Sequence, residues 1–144
     1  MNKTKTNKER KYLPTLADLI DALSIDQIKE IKLENKQSYA LEMKKISHDI
    51  DVLISQKQIK LSARLIRMII VIAQINLFIW NNKDKMREDP KHYNDLLKLA
   101  HQLNGIRNRI KNLLLKLSDD VEPSKKRTNV ETDGLEGWEV SIEE

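Results

Sequence analysis

Residues 61–80, LSARLIRMIIVIAQINLFIW, form the only long apolar stretch in a chain of 144 residues, of which 33% are charged. Basic side chains precede its apolar part, and Trp80, one of two tryptophans, ends it. Gln74 and Asn76 interrupt the apolar part with amides, which are unfavourable to bury without a hydrogen-bond partner. The stretch therefore predicts the helix around which the fold is organised, and its amides mark a place to search for a ligand.

The composition predicts one helical domain. Three glycines and three prolines are too few for the many turns of a sandwich or a barrel. The absence of cysteine excludes disulfides and thiolate metal sites. The N-terminus has no apolar segment typical of a signal peptide, and the uncharged part of residues 61–80 is shorter than the roughly 20 residues of a membrane span. We therefore expect a soluble, cytoplasmic protein without membrane contact.

Apolar residues recur at helical spacing in four segments, which predicts four helices. Thr15 and Asp18 can form a capping box at the start of the first helix. Ser38 can cap the second helix, and Asp89 followed by Pro90 is typical of the start of a fourth. The predicted fold is an all-α, four-helix antiparallel bundle built from two related helical hairpins.

Similarity between the two halves indicates an internal duplication. At a constant offset, Gln27 falls on Asn76 and Ile28 falls on Leu77, in the first and third predicted helices. Each repeat would be one hairpin, and two hairpins would bury together the apolar faces that neither can bury alone.

The distribution of charge divides the chain into three parts. Residues 1–12 form a basic arm, residues 13–118 the bundle domain, and residues 119–144 an acidic linker and tail in which nine acidic residues outweigh three basic ones, for a net charge of −6. We expect the arm and the tail to be disordered. The whole chain carries +4, which favours an anionic partner, and the tail can compete for the same surface.

The end of the tail is either a frayed terminus or a short motif that binds the body of the protein or a partner. The motif is plausible because a large aromatic side chain is unfavourable to expose in a polar segment. Its candidate partner-binding residues are Trp138, Val140 and Ile142.

Three segments resemble the signature segments of a family of small all-helical domains from bacteria and phages. They are LADLIDALSIDQIKEI, INLFIWNNKDK and LNGIRNRI. The first two resemble Leu-Ile-Asp-Arg-Leu-Ser-Ile and Asn-Leu-x-Ile-Trp-His, with Ala22 in place of the arginine and Asn81 in place of the histidine. The resemblance implies a helical fold and a phage or bacterial setting, but no reaction, because the family has no settled activity.

Signatures of catalysis are missing from the sequence. It contains no P-loop and no nucleophile elbow, so we expect no enzyme, no catalytic residue and no cofactor. His48 and Asp51 lie one helical turn apart, but the repeated Glu-x-x-His of a di-metal bundle is missing, so we predict no metal site. Six aromatic residues, which do not alternate with basic ones, argue against general nucleic-acid binding.

Two groups of residues remain as candidates for binding. The first is a row of cations entering the third helix, which suits phosphate or is simply a solvated edge. The second is a set of polar side chains on apolar helix faces, which either line a pocket for a base or sugar or form a network that fixes register. The predicted ligand-binding residues are Lys60, Arg64, Arg67, Asn76, Trp80, His101, Asn104, Arg107 and Asn108.

The sequence thus leaves two hypotheses about function. The leading one is a non-enzymatic, homo-oligomeric binding protein that sequesters a small anionic, nucleotide-like ligand. In a phage, it would withdraw an immune second messenger in the cytoplasm of the host cell. The alternative is an oligomeric scaffold or regulatory module that binds protein through the third helix and the C-terminal tail.

Overall fold

The computed structural model describes residues 13–117, and all four predicted helices lie within this range. The predicted all-α bundle is thereby confirmed. The helices are α1 (Leu16–Lys32), α2 (Lys36–Lys57), α3 (Ala63–Glu88) and α4 (Tyr93–Leu117), with a short 3-10 turn (Pro90–His92) before α4.

Side-chain caps fix the starts of α1 and α3. Thr15 Oγ1 accepts the backbone N–H of Asp18 at 3.1 Å, and Asp18 Oδ2 accepts the backbone N–H of Thr15 at 3.1 Å. This is the predicted capping box, which satisfies two backbone donors that the helix leaves without a partner. At the start of α3, Ser62 Oγ accepts the N–H of Leu65 at 3.1 Å.

The turn between α1 and α2 differs from the prediction. The N-cap of α2 is Asn35, so Ser38 lies inside the first turn of the helix and does not cap it. The reason is a contact across the turn: Lys36 Nζ donates to the carbonyls of Glu30 and Ile31, at 2.6 and 3.0 Å. These carbonyls lie at the end of α1, so the ammonium closes the turn earlier than the sequence pattern suggests.

The other two connections are five and four residues long. Gln58 ends α2 in the left-handed conformation, with φ 52° and ψ 46°, and donates its N–H to the carbonyls of Ile54 and Ser55. Asp89 and Pro90 restart the chain as predicted, but through one 3-10 turn, so the α-helical geometry begins only at Tyr93.

The four helices form two hairpins, α1 with α2 and α3 with α4, and the hairpins join where α1 packs on α3 and α4. The largest fully buried side chains are Leu16, Met68, Ile72, Ile75, Leu103, Ile106, Ile110 and Leu114. None of them belongs to α2, whose one buried residue is Leu53. Ile46 and Ile50 pack on the core in part, whereas Leu41 and Ile54 of the same helix are exposed. The core therefore belongs to α1, α3 and α4, with α2 at its edge.

Candidate functional site

A buried polar network joins α1, α3 and α4 around Asp21. Asn76 Nδ2 donates to Asp21 Oδ1 at 2.8 Å and to Ser24 Oγ at 3.2 Å. The other carboxylate oxygen of Asp21 lies 3.1 Å from Arg107 Nη2 and 3.5 Å from Lys111 Nζ. The Asp21 side chain is only 7% exposed, and its charge is balanced by two cations of α4, while the amide of Asn76 on α3 binds its other oxygen.

Asp18 and Asn104 extend this network at its two ends. Lys111 Nζ lies 2.9 Å from Asp18 Oδ1, and Arg107 Nη1 donates to Asn104 Oδ1 at 3.2 Å. Burial, the largest single influence, raises the pKa of Asp18, but hydrogen bonds from Lys111 and Thr15 outweigh it and leave that pKa below its usual value. Two carboxylates thus face two cations. We refer to Asp18, Asp21, Asn76, Arg107 and Lys111 as the Asp21 network.

The structure brings together three of the residues predicted to bind a ligand: Asn76, Asn104 and Arg107. Their contacts run between helices. The amide nitrogen of Asn76 donates a hydrogen bond to Asp21 of α1. This contact matches the alternative interpretation, in which the polar residues form a network that fixes the register between helices. Asn108 is half-buried on α4, whereas His101 on the same helix is exposed.

A second buried amide, that of Asn82, also joins two helices. Asn82 donates its Nδ2 to the carbonyl of Leu96 at 2.8 Å and thereby ties α3 to α4. Gln74, by contrast, is exposed and not part of the core.

The predicted phosphate-binding cations lie elsewhere. Lys60, Arg64 and Arg67 are all exposed at the start of α3. At a rise of 1.5 Å per residue, Arg64 lies about 24 Å along the helix from Trp80. Because a ligand pocket of roughly 300–1,000 Å³ is only about 7–10 Å across, one small ligand cannot contact both.

Trp80 lines an open groove at the turn between α3 and α4. The cavity has a volume of about 490 Å³, and its lining residues are Trp80, Lys83, Asp84, Met86, Arg87 and Tyr93. Arg87 forms an ion pair with Asp84 across one helical turn. The sequence prediction named Trp80 but missed the others. The Asp89-Pro90 restart was the available signal, because a short turn places the end of one helix beside the start of the next.

The outer face of α3 carries exposed apolar side chains. We define it by Ile66, Ile69, Ile70, Ala73, Leu77 and Phe78. The large side chains of this set are 36% to 47% exposed. Ile66, Ile70, Ala73, Leu77 and Trp80 follow one another at steps of four and three residues, the spacing of a coiled-coil seam.

The inner face of α3 has a seam of its own, formed by Leu65, Met68, Ile72, Ile75 and Ile79, all buried. Apolar residues on both sides make α3 the one described helix that is long and apolar enough to cross a membrane, with 39% of its most apolar window buried. Core helices of soluble proteins pass the same test of length and composition.

Within residues 13–117, no group of three or more His, Asp or Glu side chains is arranged to hold a metal ion. The predicted partner-binding residues Trp138, Val140 and Ile142 lie outside the described residues. Comparison of the chain with protein-family models, with curated proteins and with solved structures gives no match. The resemblance to the helical phage and bacterial family therefore stays a prediction.

Proposed function

We propose that the chain is a non-enzymatic binding protein that self-associates, with the outer face of α3 packed against α3 of a second copy. The observation that carries this proposal is the outer face itself, a seam of apolar side chains on the solvent side of the bundle. Contiguous apolar surface of this kind is typical of an interaction site. The chain would act as an oligomeric scaffold, the second of the two sequence-based hypotheses.

A second copy suits this face because the seam is complementary to itself. With a twofold axis beside Ala73, two antiparallel α3 helices place Ile66 opposite Trp80 and Ile69 opposite Leu77. The small side chain of Ala73 lets the two helices approach closely at the centre. The seam from Ile66 to Trp80 is about 21 Å long, or nearly four helical turns.

Charge selects the antiparallel arrangement. In a parallel pair, Arg64 and Arg67 of both copies would lie at the same end of the dimer, where four positive charges would repel one another. In the antiparallel pair these arginines lie at opposite ends of the seam. The basic start of one helix then meets the end of the other, where Asp84 and Glu88 are interspersed with cations.

Sedimentation equilibrium of the full chain tests this proposal. We expect a dimer for the natural chain and a monomer for Leu77→Lys and for Ile70→Lys, because each places an ammonium group in the seam. Leu41→Lys is the matched control, since Leu41 is 55% exposed on α2, away from the outer face. A natural chain that stays monomeric at all concentrations would contradict the proposal. Flotation with lipid vesicles that is lost in Leu77→Lys would reassign the face to a membrane surface.

A second candidate function rests on the groove beside Trp80. An indole and a phenol with Lys83 and Arg87 at the rim have the chemistry to stack on a base and to contact a phosphate. This supports the leading sequence-based hypothesis, sequestration of a small anionic, nucleotide-like ligand, in a phage an immune second messenger of the host. It moves the phosphate contacts from Arg64 and Arg67 to Lys83 and Arg87.

Thermal unfolding against linear and cyclic nucleotides, at low and physiological salt, tests the second candidate. A ligand at 100 times its dissociation constant adds about 2.7 kcal/mol to the free energy of unfolding. We expect Trp80→Leu and Arg87→Gln to abolish the shift, and Arg64→Gln to leave it unchanged. A shift that depends on Arg64 would locate the ligand on the basic start of α3, and no shift with any nucleotide would remove this function.

A further inference from the structure

We propose that residues 119–144 bind the outer face of α3 in the same chain and thereby compete with the second copy. The inference rests on the proposed function, because it assigns a regulator to the same face. Three observations carry it: the place where the segment leaves the bundle, its charge, and the spacing of its apolar residues.

The segment starts beside the basic end of α3. The helices α3 and α4 form an antiparallel hairpin and are 26 and 25 residues long. Leu117, the last residue of α4, therefore lies at the end of the bundle where α3 begins. That end carries Lys60, Arg64 and Arg67, whose side chains are exposed. The acidic segment is thus attached next to the predicted row of cations.

Charge draws the segment to this end of α3. Residues 119–144 have a net charge of −6, while Lys60, Arg64 and Arg67 contribute three positive charges beside the outer face. The attraction acts over a Debye length of about 8 Å at physiological salt, so it concentrates the segment locally and leaves specificity to shorter contacts. A second copy offers no comparable match, because the end of α3 that meets these cations in the antiparallel pair carries three basic residues beside Asp84 and Glu88.

The apolar residues of the segment supply the shorter contacts. Trp138, Val140 and Ile142 occur at every second position, so an extended segment presents all three on one side. Glu139 and Ser141 then lie on the opposite side, towards solvent. The outer face of α3 offers the matching surface, a seam of isoleucine, alanine and leucine side chains.

The linker length suits binding within one chain. Trp138 is 21 residues beyond Leu117, and an unstructured polypeptide of that length spans about 23–27 Å on average. The seam from Ile66 to Trp80 begins near the attachment point and is about 21 Å long. The effective concentration of a tethered segment is highest when its average span matches the distance to its site, so the seam lies within the favoured range.

Disulfide trapping tests the contact directly, because the natural chain has no cysteine. Gln74 is exposed on α3 beside the outer face, so the double variant Gln74→Cys with Val140→Cys brings two thiols together if the segment binds there. The control pairs Val140→Cys with Ser47→Cys, an exposed position on α2. We expect a disulfide within one chain at low protein concentration for the first pair, formed at least tenfold faster than for the control. Equal rates, or products linked only between chains, would overturn the inference.

The effect on self-association is the second measurement. A face that the segment covers in nine of ten molecules raises the apparent dissociation constant of the dimer about a hundredfold, because both copies must be uncovered before they associate. Trp138→Ala in the full chain should therefore strengthen dimerisation by up to that factor, and Lys60→Glu with Arg64→Glu should do the same by repelling the segment. An unchanged dissociation constant in both variants would overturn the competition.

The two proposals fail in different ways. If the disulfide forms selectively but no variant dimerises, the proposal of self-association is wrong and the proposal that the segment binds α3 stands. If Leu77→Lys abolishes the dimer, Trp138→Ala leaves it unchanged and no disulfide forms selectively, the proposal of self-association stands and the proposal for the segment is wrong.

Discussion

Each face of α3 carries a residue that does not match its surroundings, a buried polar one on the inner face and an exposed apolar one on the outer face. On the inner face, Asn76 is a polar residue in an apolar environment, 4% exposed, and it donates to Asp21 and Ser24. On the outer face, Ile70 is an apolar residue in a polar environment, 47% exposed. The buried amide is already stabilised by its own chain, whereas the exposed isoleucine still gains from burial. A polar residue on an apolar face, or an apolar residue on the surface, therefore indicates a binding site only where the fold itself provides neither hydrogen-bond partners nor burial for it.

Asp21→Ala should have the largest effect on folding. The substitution leaves Arg107 without its carboxylate partner at the α1 interface and leaves Lys111 with Asp18 alone. Breaking a buried ion pair by removing one member costs about 3–5 kcal/mol. Urea denaturation followed by circular dichroism measures the change. Asp84→Ala, at an exposed ion pair with Arg87, is the control. A loss below about 1 kcal/mol in Asp21→Ala would show that the network does not stabilise the inner face.

Asn76→Ala tests the amide by itself. Removing this donor leaves one oxygen of Asp21 without its hydrogen bond and should lower the free energy of unfolding by about 1–3 kcal/mol. Gln74→Ala, two residues away on the exposed side, should change it by less than about 0.5 kcal/mol. Equal effects of the two substitutions in urea denaturation would contradict the distinction between the faces.

Asp26→Asn should stabilise the protein at neutral pH. Asp26 is buried, and its Oδ2 has no hydrogen-bond partner within the described part of the chain. Burial raises the pKa of Asp26, and the nearby carboxylate of Glu42 raises it further. Because the folded state then binds the proton more tightly than the unfolded state, stability falls as the pH rises through the raised pKa.

Asparagine is neutral at every pH. At pH 7, the free energy of unfolding of Asp26→Asn should therefore exceed that of the natural chain by about 1 kcal/mol. Below about pH 4, where aspartate is protonated in both states, this difference should disappear. Thermal unfolding from pH 3 to 8 measures the difference. Asp95→Asn, at an exposed position on α4, controls for the loss of one negative charge. If the stabilisation by Asp26→Asn instead grew towards acidic pH, the pKa of Asp26 would be lowered by folding and not raised.

Leu77→Lys should have the smallest effect on the isolated fold. Leu77 is 43% exposed, so the substitution should change the free energy of unfolding of the monomer by less than about 0.5 kcal/mol. Urea denaturation at a protein concentration below the dimer dissociation constant measures it, beside Ile75→Lys on the inner face. A large loss in Leu77→Lys would show that the outer face belongs to the core.

Local sequence patterns predicted most of the fold. The periodicity of apolar residues gave the four helices, and Thr15 with Asp18 gave the capping box. The second N-cap was wrong because Lys36 reaches back to the end of α1, a contact across a turn that helix propensity does not describe. The depth of α2 in the bundle was not predictable either, since an apolar stripe shows which face is covered but not by how much.

The candidate site was predictable only in part. The amides of Asn76 and Asn104 and the guanidinium of Arg107 stand out on apolar faces, but Asp21, which Asn76 and Arg107 both contact, is 55 residues before Asn76 in the chain. A possible signal was that Asp21 and Lys111 also lie on apolar faces, one on α1 and one on α4. The exposure of the outer face was not predictable, because a helix that is apolar all round is usually buried all round.

The position of α2 at the edge of the core has a consequence for the motions of the protein. With one buried side chain in α2, we expect this helix to detach from α1 while the Asp21 network still holds α1, α3 and α4 together. Such partial opening requires less free energy than global unfolding and exposes backbone amides to exchange with solvent. In native-state hydrogen exchange, the amides of α2 should therefore form a separate, less protected unit, and α3 and α4 should exchange last.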